Sequence, residues 1–119
     1  MLITQWLNVS TNNPNSPTTI MPSESVAFRS ESWEGRKYLL VLAPTGSTTS
    51  NVTGTVKVYG WTGGEWSEFQ RLEFVDNGDG GVELPAAFSI CDKVDWEWIY
   101  VMGSGLSESI RAKFVIGNR

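Results

Sequence analysis

The sequence predicts an all-β fold: an antiparallel β-sandwich, jelly-roll-like, with an extended N-terminal arm. Three observations predict it. No window sustains a helical period, because Gly, Pro or a β-branched residue interrupts each one. About seven or eight short apolar runs alternate with Gly, Asn, Ser and Thr clusters, the rhythm of a sandwich. The connections are short, whereas a parallel crossover needs about a dozen residues or more. The chain of 119 residues is the size of one domain. It is long enough to bury one core without disulfide or metal.

Taken in order, residues 2–9 (Leu-Ile-Thr-Gln-Trp-Leu-Asn-Val) form an apolar strand candidate. Residues 10–19 are polar and contain Pro14 and Pro17, so they cannot build a core. Two readings of residues 1–23 stand side by side. One is a sticky tip, Leu2, Ile3, Trp6 and Leu7, on an extended tether. The other is an ordinary first strand followed by a long loop. Residues 24–119 form the sandwich domain. Within residues 24–33, Val26, Phe28 and Ser30 alternate with Ala27, Arg29 and Glu31. Residues 37–43 are apolar on both faces, as a central strand is. Residues 44–54 read as a polar loop, and 55–61 as an alternating strand. Thr62-Gly63-Gly64 signals a tight hairpin into residues 65–75. There the apolar positions Trp66, Phe69, Leu72 and Phe74 break period two, which predicts a bulge or a long bend.

Residues 76–81 are a turn, and 82–90 hold one or two short strands interrupted by Pro85. Residues 96–103 put Trp96, Trp98, Tyr100 and Met102 on one face and Ile99 and Val101 on the other. After a Gly-Ser-Gly turn, residues 109–117 close the chain. Ile110, Ala112, Phe114 and Ile116 face inward there, and Arg111 and Lys113 outward.

Composition bounds the function. There is no histidine, and Cys91 is the single cysteine. A serine or cysteine nucleophile normally needs a neighbouring base, so the chain is expected not to be an enzyme. The formal net charge is −4, and the only adjacent basic pair is Arg36-Lys37, so nucleic acid is not an expected partner. No apolar run approaches the roughly 18 residues that span a bilayer. Residues 1–7 lack a cationic start and a long apolar segment, so no secretory signal is read. Asp76-Asn-Gly-Asp-Gly-Gly81 invites comparison with a calcium loop, but Gly78 stands where the EF-hand spacing needs an oxygen ligand. The sequence Asn-Gly then Asp-Gly is better explained as a turn. Asp92, Asp95 and Glu97 form an acidic cluster that reads as a solvated rim. No cofactor is expected.

Six tryptophans remain to be explained: Trp6, Trp33, Trp61, Trp66, Trp96 and Trp98. They can be core and cross-strand pairs, partner anchors, or a flat platform for stacking sugar rings.

The segments Gly54-Thr-Val-Lys-Val-Tyr-Gly-Trp-Thr-Gly-Gly-Glu-Trp66, Trp98-Ile-Tyr-Val-Met-Gly-Ser-Gly105 and Ile110-Arg-Ala-Lys-Phe-Val-Ile116 carry a resemblance. Residues 52–116 resemble, in layout, small β-sandwich proteins of tailed-bacteriophage virions, especially head decoration (cement) proteins. That resemblance implies a non-enzymatic structural protein of the virion, made in the host cytoplasm. It would bridge neighbouring subunits of the shell. Its partners would be the major capsid protein or other virion subunits, with a homo-oligomer, trimer or dimer, as the default. In such proteins an N-terminal arm ties neighbours together, which assigns the contact to Leu2, Ile3, Trp6 and Leu7. Carbohydrate-binding modules share the layout. Under that alternative Trp33, Trp61, Trp66 and Trp96 supply the stacking platform, and a tail or host-adhesion subunit would combine both properties.

Overall fold

The computed structural model describes residues 2–12, 27–29, 38–46, 49–62, 65–90 and 97–117. Among the described residues there is no helix. The strands are β1 (Leu2–Ile3), β2 (Leu7–Asn8), β3 (Ser10–Asn12), β4 (Ala27–Arg29), β5 (Tyr38–Pro44) and β6 (Ser50–Val52). They continue with β7 (Gly54–Thr62), β8 (Glu65–Phe74), β9 (Val82–Leu84), β10 (Ala86–Ser89), β11 (Trp98–Ser104) and β12 (Ile110–Ile116).

The strands make two five-stranded sheets and one small pair. The first sheet runs β1-β12-β5-β10, with β2 sharing the β1 edge of β12. The second runs β3-β11-β7-β8, with β4 sharing the β3 edge of β11. The small pair is β6-β9. The pairing is nested. β1 and β2 pair with β12, β4 with β11, β5 with β10, β6 with β9 and β7 with β8, all antiparallel. The chain is therefore one long hairpin folded over on itself. Lateral pairing of β12 with β5 and of β11 with β7 assembles the two sheets. Only β3 departs from the nesting, lying parallel to β11.

Alternation places the core between the sheets. Tyr38, Leu40, Leu42, Ile110, Ala112, Phe114 and Ile116 come from the first sheet, and Val56, Val58, Phe74, Ile99 and Val101 from the second. Val52 and Leu84 of the small pair join them. Phe114 is the largest side chain with no exposure, and Tyr38 meets it edge-on at 6.2 Å between ring centroids. Each such aliphatic or aromatic burial is worth about 1.5–3 kcal/mol. Along one side of the sandwich, Phe74 packs on Phe88 at 5.4 Å and the Gln70 side chain donates to the Ser89 carbonyl. Along the other side the chain itself crosses from β2 in the first sheet to β3 in the second.

The strands expected at residues 37–43, 55–61, 65–75 and 109–117 lie at β5, β7, β8 and β12. The predicted bulge is present. Tyr59 pairs with Glu68 and Val58 with Gln70, leaving Phe69 as the extra residue. Both Phe69 and Leu72 then reach the core. Two expectations need correction. Residues 44–54 are not wholly loop, since Ser50–Val52 pairs with Val82–Leu84. Ser10–Asn12, expected in a polar tether, is strand β3. Both are short and polar, so they carry no periodicity; backbone pairing with an established neighbour makes them strands.

The N-terminal segment is extended, and over residues 2–12 it lies against its own body. Ile3 pairs with Val115 and Leu7 with Ala112, which leaves one more residue on the N-terminal side than on β12. Between them Thr4 is held twice: its N–H donates to the Phe114 carbonyl at 3.0 Å, and its Oγ1 accepts the Phe114 N–H at 2.8 Å. The extra residue switches the phase of alternation. Ile3 and Trp6 both end on the outer face, while Leu7 and Val9 pack into the core.

Gly54 and Gly81 are fixed by contact as well as conformation. Gly81 has φ +105°, and a Cβ there would run into the Val52 carbonyl across the β6–β9 pair. Gly78 has φ +99° but open space around it. Backbone strain alone is of order 1–3 kcal/mol at either site. Gly81→Ala is therefore expected to lower the urea midpoint more than Gly78→Ala. Equal losses would contradict the close approach.

Candidate functional site

The inward faces of both sheets are consumed by the core, so any site lies on the outer faces or loops. Strand register writes the outer face of the second sheet as rows. Trp98, Trp61 and Trp66 stand opposite one another across β11, β7 and β8. Tyr100, Tyr59 and Glu68 form the next row, then Met102, Lys57 and Arg71, then Ser104, Thr55 and Glu73. Tyr59, Tyr100 and Met102 are buried there as a second apolar cluster, with Trp98 packed against it. Burial, and then the Glu68 carboxylate, push the Tyr59 phenol above its ordinary value. The β8 bulge matters here. Residues an odd number apart on a regular strand face opposite ways, yet Glu68 and Arg71 share this face. The Arg71 Nη2 donates to both Glu68 carboxylate oxygens, at 3.0 and 3.1 Å.

The first sheet presents a different outer face. None of its strands contains Asp or Glu. Register groups Ile3, Val115 and Leu39 in one row and Lys113, Val41 and Ala87 in the next, followed by Arg111 and Ala43. Ile3 is 53% exposed and Leu39 38%, both high for large apolar side chains. The Trp6 ring lies against the two cations of this face, 4.4 Å from the Arg111 guanidinium carbon and 4.5 Å from the Lys113 ammonium. The Arg111 Nε is buried and has no hydrogen-bond partner.

The loop at residues 76–81 uses its first carboxylate on its own backbone. Asp76 Oδ1 accepts the Gly78 N–H at 2.8 Å and the Gly80 N–H at 3.0 Å, while the Asn51 side chain donates to the Asp79 carbonyl. Among the described residues no group of three or more Cys, Asp and Glu stands ready to hold a metal ion.

The residues singled out in the sequence are thus dispersed. Leu2, Ile3, Trp6 and Leu7 all lie along β12, with Leu7 turned into the core and Ile3 and Trp6 outward. Trp61 and Trp66 are register partners in the β7–β8 pair. Trp33 and Trp96, with Cys91, Asp92 and Asp95, lie outside the described residues. Sequence reading missed Trp98 as the partner of Trp61, since register across non-consecutive strands is invisible in one chain. It also missed the open face around Leu39 and Val41. The available signal was the apolar run at residues 37–43, read only as a doubly covered strand. No protein-family profile, curated protein or solved structure matches the chain.

The two backbone N–H bonds hold the Asp76 carboxyl below the ordinary aspartate value of 3.8. A lowered folded value means the turn's contribution is complete above the ordinary value and is lost as pH falls through the lower one. In an NMR titration the Gly78 and Gly80 amide shifts should move with a midpoint below that of free aspartate. Asp76→Asn should remove that transition; a midpoint at the free value would contradict the turn geometry.

Proposed function

We propose that the chain is a non-enzymatic assembly subunit, a jelly-roll-like sandwich that adds to a larger protein shell in the manner of a tailed-phage head decoration protein. The observation that carries this reading is the outer face of the first sheet. Antiparallel sandwiches usually turn polar residues outward. Here Ile3, Leu39, Val41 and Val115 stand there instead, and exposed apolar patches mark protein contacts. The nested pairing supports the jelly-roll part, because rolling one long hairpin into two sheets is how that architecture arises. The layout of residues 52–116 supports the virion part. A small contact suffices for such a role, since repetition over a shell multiplies modest affinities. Symmetric self-association, as a dimer or trimer, fits the same role.

A second reading is favoured by one observation. Register sets Trp98, Trp61 and Trp66 in one row across β11, β7 and β8, with Glu68 in the next row, the residue types a sugar site combines. Titration with a glycan panel, followed by tryptophan emission, tests it; a saturable spectral change abolished by Trp61→Ala would move the function to sugar binding.

The first reading is tested by co-expressing the chain with the genes that flank its own and sedimenting the products. The chain is expected to travel with a megadalton particle, and Leu39→Glu should leave it in the slow fraction. A chain that stays slow with every neighbour would overturn the shell assignment.

A further inference from the structure

We propose that the outer face of the first sheet is a docking surface for an extended segment of a different protein, one that carries a carboxylate between apolar side chains. Arg111 and Lys113 would take the carboxylate, and Ile3, Leu39, Val41 and Val115 the apolar flanks. This deepens the assembly reading and rests on it only in taking the occupant to be protein.

Charge sets the chemistry of the occupant. The chain as a whole is acidic, at −4, yet every charged side chain in the strands of this sheet is a cation. Arg111 and Lys113 are two residues apart on β12, so alternation places both on the same outer face. Like charges on one face repel, and the group both cations lie against is a neutral ring, Trp6. Among the described residues the ion pairs belong to Arg71, not to these two. The Arg111 Nε is buried without an acceptor. A buried donor left unmade is unfavourable, and a guanidinium edge is the group best shaped to bind a carboxylate with two parallel hydrogen bonds. A charged oxygen arriving at β12 would lie beside both cations and relieve their repulsion.

The same signs disfavour the simplest self-association. A two-fold dimer through this face would appose two surfaces whose strand charges are all cations, and like charges brought together across an interface are unfavourable. The surrounding aliphatic side chains argue against a small free anion, which would need no apolar flanks. They call for a segment whose alternate side chains bury against a flat sheet.

The test is selection of displayed random linear peptides on the immobilised full chain. Counter-selection uses the Arg111→Gln/Lys113→Gln double variant, checked for an unchanged urea midpoint. Enriched peptides should carry Asp or Glu flanked by Val, Ile, Leu or Phe. A synthetic copy should lose at least about tenfold in affinity on Asp→Asn in the peptide, on the double variant and on Leu39→Glu, and should weaken as salt rises. If the double variant does not fold, Lys113→Gln alone serves for the charge and Leu39→Glu for the face. Enriched peptides without a carboxylate, equal binding to both proteins, or no enrichment would each overturn the proposal. So would self-association of the wild type lost in the variant, which would make a second copy the occupant. No shell enters this experiment, so its outcome is separable from that of the sedimentation test.

Discussion

The fold depends on β12. Its inward residues Ile110, Ala112, Phe114 and Ile116 are among the least exposed in the molecule, so it supplies much of the core floor. One of its edges is satisfied by β5 over all seven residues. The other edge is shared by β1 and β2, which come from the opposite end of the chain. Nesting makes this pairing the last one closed. The β7–β8 pair is adjacent in sequence and the β6–β9 pair encloses only that hairpin and its turn, whereas β1 and β12 are separated by nearly the whole sequence. Loop-closure entropy rises with separation, so a hairpin-first order of assembly follows from the topology. The N-terminal segment then does two jobs: it covers the free edge of β12 and, through β3, ties the first sheet to the second.

Two bulges give the body its surface chemistry. Along β1 and β2 the extra residue keeps Leu7 and Val9 in the core while turning Trp6 out over Arg111 and Lys113. Along β8 the extra residue Phe69 brings Glu68 and Arg71 to one face. Without these phase shifts Trp6 would point inward and Arg71 would lose its carboxylate partner. In both strands a break in period two, which looks like a defect in the pattern, is what allows one strand to serve the core and the outer face together.

What could be read from the sequence follows from where periodicity exists. Ile110, Ala112, Phe114 and Ile116 alternate without interruption, so strand, inward face and outward Arg111 and Lys113 were all legible. The steps Trp66, Phe69, Leu72 and Phe74 located the β8 bulge. Ser10–Asn12 and Ser50–Val52 carry no apolar pattern, and their strand state comes from partners far away in sequence. The candidate surfaces were less legible for the same reason. That Trp98 stands opposite Trp61, and Lys113 opposite Val41, are facts of register between strands that are not neighbours in the chain. Residues 37–43 were read as covered on both faces because apolar composition reports only that a surface avoids water, not whether the same chain covers it.

The edges and the faces of the two sheets differ in what they expose. The outermost strand of the second sheet, β8, is ten residues long and carries Glu65, Glu68, Arg71 and Glu73. The outermost strand of the first sheet on the opposite side from β1, β10, has only four residues. Charged side chains and short edge strands are the usual defences against strand addition. The N-terminal segment covers the remaining long edge, that of β12. Among the described residues the outer face of the first sheet has no equivalent defence: its central strand β5 carries Leu39 and Val41, and its strand charges are two cations that share the Trp6 ring. A surface that is guarded at its edges and open on one face favours face-on contact over strand exchange. Guarded edges also oppose polymerisation through backbone pairing, whatever meets the apolar, cationic face.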